Sequence, residues 1–313
     1  MLVHFWGTRG SLPSSLNAEK VRQKIIKALK AAQGKNFEND SDLERYVDGE
    51  LPFAVRGTYG GNSSCVEIRG GNEYILCDAG TGLRDFGQSV ANTRGVYNIF
   101  LSHLHWDHIQ GFPFFTPAYI PGNLIKIYGV HSGMEQALIA QQSPPFFPAP
   151  FHAMRAEITF HPMEHDVVYE IAGFKVRGMI QQHPGDSYGY RFEKDGQSVV
   201  YSTDSEHKKD AENPAYAYLD FIRETDLLIF DAQYTLLDAI GDKENWGHSN
   251  NILAVELAVE GMVKRLCLFH HEHTNDDDLF DELLEDTHTY LMILSETNTL
   301  EITMAYDGLE IKV

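Results

Sequence analysis

The sequence predicts an α/β protein whose sheets pack face to face with helices on the outside. Two observations predict it. Short apolar runs with strand character dominate the chain, and stretches of helical periodicity recur between and after them. The strand runs are Leu2–Trp6, Cys65–Arg69, Tyr74–Asp78, Tyr97–Ser102, Leu124–Tyr128, Phe174–Ile180, Tyr188–Phe192, Ser198–Ser202, Asp226–Phe230 and Arg265–Phe269. Helical spacing appears over Ala18–Gln33 through Val21, Ile25, Ala28 and Leu29. It appears again over Asn250–Val263 through Ile252, Val255, Leu257 and Val259, and over Asp277–Thr297 through Phe280, Leu283, Leu284, Leu291 and Leu294. The acidic run Asp276–Asp278 suits the start of the last helix, where the macrodipole favours negative charge. Residues 14–56 are polar, charged and helical, and they lie between the first strand and the Gly-rich turn Thr58–Ser64. They are too few to hold a core of their own. The chain therefore reads as one domain, 1–313, with a helical insertion at about 14–56.

Of 313 residues, 43% are hydrophobic, enough for a sizeable core. Acidic residues number 45 against 25 basic ones, a formal net charge of −20. Such a chain repels polyphosphate, so extended nucleic acid is disfavoured as a partner and a small anion is favoured. Cys65, Cys77 and Cys267 sit in apolar, strand-like runs and read as buried small hydrophobes. So few cysteines give no disulfide framework and suit a reducing cytoplasm. No signal peptide is readable, and no apolar run approaches the ~18 residues of a spanning helix, so no membrane association is expected. The oligomer is left open, a homodimer included.

The chemistry concentrates in FLSHLHWDHIQGF, which holds His103, His105, Asp107 and His108. A regular strand would send alternate side chains to opposite faces, whereas a loop at a strand end can converge them. Imidazole with carboxylate suits zinc, iron or manganese better than calcium or magnesium. Further ligand types stand at the ends of later apolar strands: His183, Asp204 and His270.

The spacing H-x-H-x-D-H, followed by a distant His, an Asp and a late His, resembles the metallo-β-lactamase-fold hydrolases, and the resemblance runs from WGTRGS to the His270 region. It implies a four-layer αββα sandwich and two divalent transition-metal ions, zinc by default, with manganese or iron as alternatives. One ion would take His103, His105, His183 and Asp204. The other would take Asp107, His108, the shared Asp204 and His270, with His271 the alternative to His270. Within the family the likeness is to the phosphodiesterase branch, which includes ribonuclease Z and small cyclic-nucleotide phosphodiesterases. LLIFDAQY, ending its apolar run at Asp231, and WGHSNNILAVELA, with His248, Ser249 and Asn250, carry that likeness. Ribonuclease Z usually has Glu where Asp231 stands and Thr where Asn250 stands.

By this likeness Asp107, His248 and Asp231 serve the reaction: Asp231 orients His248, and His248 contacts the phosphate or protonates the leaving oxygen. Water activated between the two metals would attack phosphorus. A cyclic nucleotide or related small phosphodiester is the expected substrate. Ribonuclease Z-like RNA processing, or a metal- or ligand-binding sensor with vestigial activity, is the alternative. The turns Gly7–Ser11, Thr58–Ser64 and Cys77–Gly82 also match the branch, and their glycines would let loops pass close to the metals. Asp78 is expected to orient a ligand imidazole. Ser143–His152, rich in Pro and Phe, reads either as a rigid surface loop or as an aromatic lid. Tyr188, Tyr190 and the remaining histidines read as structural.

Overall fold

A computed structural model describes residues 1–207, 217–241, 243, 245–295 and 297–313. Within these residues two seven-stranded sheets form. The first contains β1 (Leu2–Gly7), β2 (Cys65–Arg69), β3 (Tyr74–Cys77), β4 (Val96–Phe100), β5 (Leu124–Gly129) and β6 (Glu157–Pro162), with β14 (Glu310–Lys312) beside β1 at one edge. The second runs in order from β7 (Val168–Ile171) through β8 (Phe174–Gln181), β9 (Ser187–Lys194), β10 (Gln197–Ser202), β11 (Leu227–Asp231) and β12 (Arg265–Phe269) to β13 (Glu301–Met304). The helices are α1 (Ala18–Ala31), α2 (Asp40–Glu50), α3 (Phe53–Arg56), α4 (Gly82–Ser89), α5 (Trp106–Ile109), α6 (Met134–Gln141), α7 (Ala217–Ile222), α8 (Leu236–Ile240), α9 (Asn251–Glu260) and α10 (Asp277–Leu294).

The alternation of side chains along each strand builds the layers. In the second sheet, Val199, Tyr201, Leu227, Ile229, Cys267 and Phe269 turn inward and meet Phe5, Val66, Ile68, Ile75 and Phe100 of the first. The intervening Val200, Leu228, Phe230, Leu266 and Leu268 turn outward, under α7, α9 and α10. On the far side, Leu76, Tyr97, Ile99, Ile125 and Ile127 pack beneath α4 and α6. Helix, sheet, sheet, helix is the layering expected. Every strand run read from the sequence is present within a residue or two. The strands β6, β7, β13 and β14 were not read, because their apolar alternation is short and interrupted by charge. All three cysteines are free and buried.

The insertion holds α1, α2 and α3. Lys24 of α1 ties it down: its Nζ donates to the carbonyls of Ala54 and Gly57 and lies 2.7 Å from Asp277 at the start of α10. The apolar stripe of α1 faces outward. Val21, Ile25 and Leu29 are exposed, and α1 buries no residue fully. Asp276 caps α10 by accepting from Leu279 N at 3.1 Å. Among the described residues no helix is long and apolar enough to cross a membrane.

Candidate metal centre

Strand ends deliver the site. Asp78 follows β3, His103 follows β4, His183 follows β8, Asp204 follows β10, His270 follows β12, and Asp231 is the last residue of β11. Three of these leave their strands through the left-handed region, with φ of 62° at Asp78, 43° at Asp204 and 61° at His270. For an L residue this costs on the order of 1–3 kcal/mol. The turn swings each side chain off its sheet and into one shared space at the ends of both sheets.

The seven expected ligands form two donor sets. Asp204 joins them. Its Oδ2 lies 3.6 Å from His103 Nε2 and 3.7 Å from His183 Nε2, while its Oδ1 lies 3.1 Å from His108 Nε2 and 3.2 Å from His270 Nε2. Asp107 Oδ2 completes the second set, 3.2 Å from His108 Nε2 and 3.3 Å from His270 Nε2. His105 Nδ1 completes the first, 3.1 Å from His183 Nε2. Atoms that each sit ~2.0–2.1 Å from one zinc ion at tetrahedral angles stand roughly 3.3 Å apart. These spacings fit that edge length.

The other ring nitrogens of His103, His183 and His108 are held by the protein, whereas His270 Nδ1 is buried without a hydrogen-bond partner among the described residues, 3.8 Å from Asp231 Oδ1. His103 Nδ1 lies 3.0 Å from Ser102 Oγ, and His183 Nδ1 lies 2.9 Å from the carbonyl of Gly247. His108 Nδ1 lies 2.7 Å from Asp78 Oδ2. Asp78, fully buried, also accepts from Ser102 N at 2.7 Å and from Tyr201 OH at 2.7 Å. It therefore fixes the orientation of the His108 imidazole. Turned inward, His103 Nε2 and His108 Nε2 are buried with no hydrogen-bond partner. Orphaned buried donors or acceptors are costly, and a metal ion satisfies both. The donor set thus fits divalent transition metals.

Electrostatics agree. Burial pushes the His103, His105 and His183 pKa values down, leaving neutral rings with a free lone pair. Burial opposes ionisation of Asp107 and Asp204, but the surrounding histidines overcome it and hold both well below the usual carboxylate range. Burial also opposes protonation of His108, yet Asp204, Asp107 and Asp78 overcome it and push its pKa up. Those carboxylates call for positive charge at His108 Nε2, which a metal ion supplies as well as a proton.

Loops close around the cluster. Ser11 N donates to Asp107 Oδ2 at 2.8 Å. Gly10 packs so tightly that a Cβ there would stand 2.6 Å from His270 Nδ1. Gly247, at φ 87°, leaves no room for a Cβ, which would stand 2.5 Å from His183 Nδ1. Next to it, His248 Nδ1 lies 2.9 Å from Asp231 Oδ2. Asp231 is fully buried and also accepts from Ser205 N and Gln233 N. The His248 ring lies 5.0 Å from that of His183 and 5.2 Å from that of His270, so it faces both donor sets. Burial alone would lower the His248 pKa; Asp231 leads the groups that reverse this, and it is pushed up to about 9. Asp231, His248 and His270 are also close enough to form a third donor set. It competes with the second for His270, whose Nε2 already faces Asp107 and Asp204. Asn250, not His248, caps α9, accepting from Leu253 N at 3.0 Å; His248 stands two residues before the cap.

His271 turns away, its Nε2 2.7 Å from the carbonyl of Ala305, so His270 alone of the pair joins the cluster. None of the remaining histidines enters a donor set among the described residues. Tyr190 is buried and donates to the carbonyl of Leu101, and Tyr188 packs on His131. In Ser143–His152, Phe147 packs on Phe114 and Phe151 on Phe112, which suits a packed surface loop. Two exposed residues beside the cluster escaped the sequence reading, Trp106 and Trp246. Their position within one residue of His105 and Gly247 was the available signal.

Residues 73–271 match the family model described as the beta-lactamase superfamily domain. Ribonuclease Z of Prochlorococcus marinus (strain MIT 9301) is 28% identical over 163 residues, 50% of this chain and 52% of that protein. The chain thus spans about half the length of that relative. Among solved structures, the metallo-beta-lactamase fold protein YhfI from Bacillus subtilis superposes with a TM-score of 0.67 at 18% identity, covering 99% of this chain and 98% of the other. A diphosphatase from the PhnP family superposes at 0.61 with 19% identity, covering 100% and 97%. These likenesses establish the metallo-β-lactamase fold.

Proposed function

The chain belongs to the beta-lactamase superfamily, and on that premise we propose that it is a metal-dependent phosphodiesterase acting on a small phosphodiester, a cyclic nucleotide first. The observation that carries the reading is His248. It is held by Asp231 at 2.9 Å, faces both donor sets, and stays outside the two four-residue sets. A cationic imidazole beside a pair of metal sites suits a phosphate, whose charge rises as the leaving oxygen departs.

Two divalent ions, zinc by default, would be held by His103, His105, His183 and Asp204, and by Asp107, His108, Asp204 and His270. When bound they supply positive charge for the phosphate oxygens and the attacking water. The protein does the rest. Asp78, Ser102 and Gly247 fix the ligand rings. Asp231 holds the His248 imidazole in orientation and keeps it protonated, and His248 gives a proton or hydrogen bond to the leaving oxygen.

A ribonuclease Z-like reading has the similarity to the Prochlorococcus enzyme and one structural observation in its favour. Helix α1 carries Lys20, Arg22, Lys24, Lys27 and Lys30 against Glu19, a basic helix on an otherwise acidic chain, with Lys24 and Lys27 paired to Asp277 and Asp278. The deciding experiment incubates metal-loaded protein with cyclic nucleotides, a bis-aryl phosphodiester and a precursor transfer RNA. Turnover of the small diesters without transfer-RNA cleavage supports the proposal. Endonucleolytic cleavage of the transfer RNA with no cyclic-nucleotide turnover replaces it with the RNA reading.

A further inference from the structure

The molecule has three tryptophans, and their settings differ. Trp6 is used by the fold. Its ring stacks on His4 at 4.1 Å, and its Nε1 donates to Glu67 Oε2 at 3.0 Å. Trp106 and Trp246 are 76% and 59% exposed, and the described residues give neither indole a ring or side-chain hydrogen-bond contact. An exposed indole forfeits the burial that makes tryptophan useful to a core, and apolar surface gathered beside a polar site marks a ligand groove.

Both indoles rise from the backbone around one ligand, His183. Trp106 follows His105, whose ring is 4.9 Å from that of His183. Trp246 precedes Gly247, whose carbonyl is 2.9 Å from His183 Nδ1. Among the described residues the first donor set is the more open: His105 is exposed and His183 half-buried, whereas Asp107, His108, Asp204 and His270 are all buried. The backbone beside His105 and His183 carries little side chain. Gly247 has none, and neither has Gly185, whose missing Cβ would stand 3.5 Å from His105 Nε2.

We infer that Trp106 and Trp246 form a stacking platform at the mouth of the metal centre, which takes the nucleobase of a nucleotide phosphodiester while its phosphate reaches the donor sets. This rests on the phosphodiesterase reading and adds the determinant of substrate class. Every base has a π-face, so stacking on indole selects nucleotides over base-free diesters while tolerating different bases. It also suits a strongly acidic chain, because the platform needs no positive charge to hold the base.

The test uses the full, metal-loaded chain. Adenosine 5′-monophosphate should quench tryptophan fluorescence and ribose 5-phosphate should not; Trp106→Ala and Trp246→Ala should each remove part of the quench. Stacking is lost on binding more than on chemistry, so the double Ala variant should raise KM for cyclic AMP roughly 5- to 100-fold with kcat within about threefold. The double Phe variant keeps an aromatic face and should stay within about threefold of wild type in KM. Two results overturn the inference while leaving the phosphodiesterase reading intact: an unchanged KM in the double Ala variant of an active enzyme, or a Phe variant as impaired as the Ala one. A wild-type protein that cleaves no phosphodiester overturns the reading itself and the inference with it.

Discussion

His105 Nδ1 and His183 Nε2, from residues 78 positions apart in the chain, face each other at 3.1 Å. Burial lowers the pKa of both rings, so the contact is at most one neutral hydrogen bond whose direction follows the tautomers. A shared cation would take both nitrogens as ligands, and a second would take His108 and His270, which converge on Asp204. Carefully purified protein should therefore carry about two transition-metal ions per chain by elemental analysis. Ligand that binds only the folded state stabilises it by roughly 2.7 kcal/mol at a hundred times its Kd, so chelation should lower the unfolding temperature by several degrees. Asp204→Ala should reduce content at both sites, because its two oxygens serve different sets. Less than one ion in well-folded, reconstituted wild type would rule out the paired site.

Asp78 touches no proposed metal position, yet it sets the direction of His108 through the 2.7 Å contact to Nδ1. Partners of this kind typically contribute 10–100-fold to metal affinity. Asp78→Asn should weaken the tighter of two metal-binding steps by about that factor in a competition titration with a chromogenic chelator. Affinity equal to wild type would mean that Ser102, whose Oγ lies 3.4 Å from His108 Nδ1, is enough to hold the ring.

How much of this was readable beforehand follows from where the information lies. The donor residues were legible because ligand chemistry restricts residue type and because each follows an apolar strand run. The choice of His270 over His271 was not settled by residue type; it depends on the left-handed turn at His270, which sends the next side chain back to Ala305. Backbone twist of that sort leaves little trace outside glycine. The exposure of α1 was not legible for a related reason. Val21, Ile25 and Leu29 have helical spacing, but periodicity records amphipathicity and not which surface covers it. The edge strands β7 and β14 alternate with charge because one side meets solvent, and short polar strands carry a weak pattern.

Asp307 offers a pH signature away from the metals. It accepts from Gly61 N and Asn62 N, each at 2.9 Å, and from Thr8 Oγ1 at 3.0 Å. Burial nonetheless pushes its pKa up, to about 6 from 3.8. A carboxyl whose folded pKa is raised binds more protons folded than unfolded across that window. Its contribution to stability is therefore fully present below the unfolded pKa and is lost as pH rises towards 6. Asp307→Asn should flatten this part of the stability curve measured by denaturant unfolding between pH 4 and about 7. A variant whose curve keeps the wild-type slope would assign that slope to other groups.

His248 should separate chemistry from metal binding. Its Nδ1 is committed to Asp231, and its ring faces both donor sets without belonging to either four-residue set. If it serves as acid or phosphate contact, His248→Ala should lower turnover by about 10²–10⁴ while metal content stays at the wild-type level in the same samples. The loss should shrink for a bis-aryl phosphodiester, since a good leaving oxide needs less protonation. A general acid must be protonated, so the alkaline fall in kcat/KM reports its pKa. Burial lowers the His248 pKa and Asp231 more than restores it, to about 9. Asp231→Asn removes the carboxylate charge and should move the alkaline limb to lower pH with a milder loss at neutral pH. Metal content that falls in step with activity in His248→Ala would make His248 a ligand, through the third donor set with Asp231 and His270. An alkaline limb that stays put in Asp231→Asn would assign it to another group.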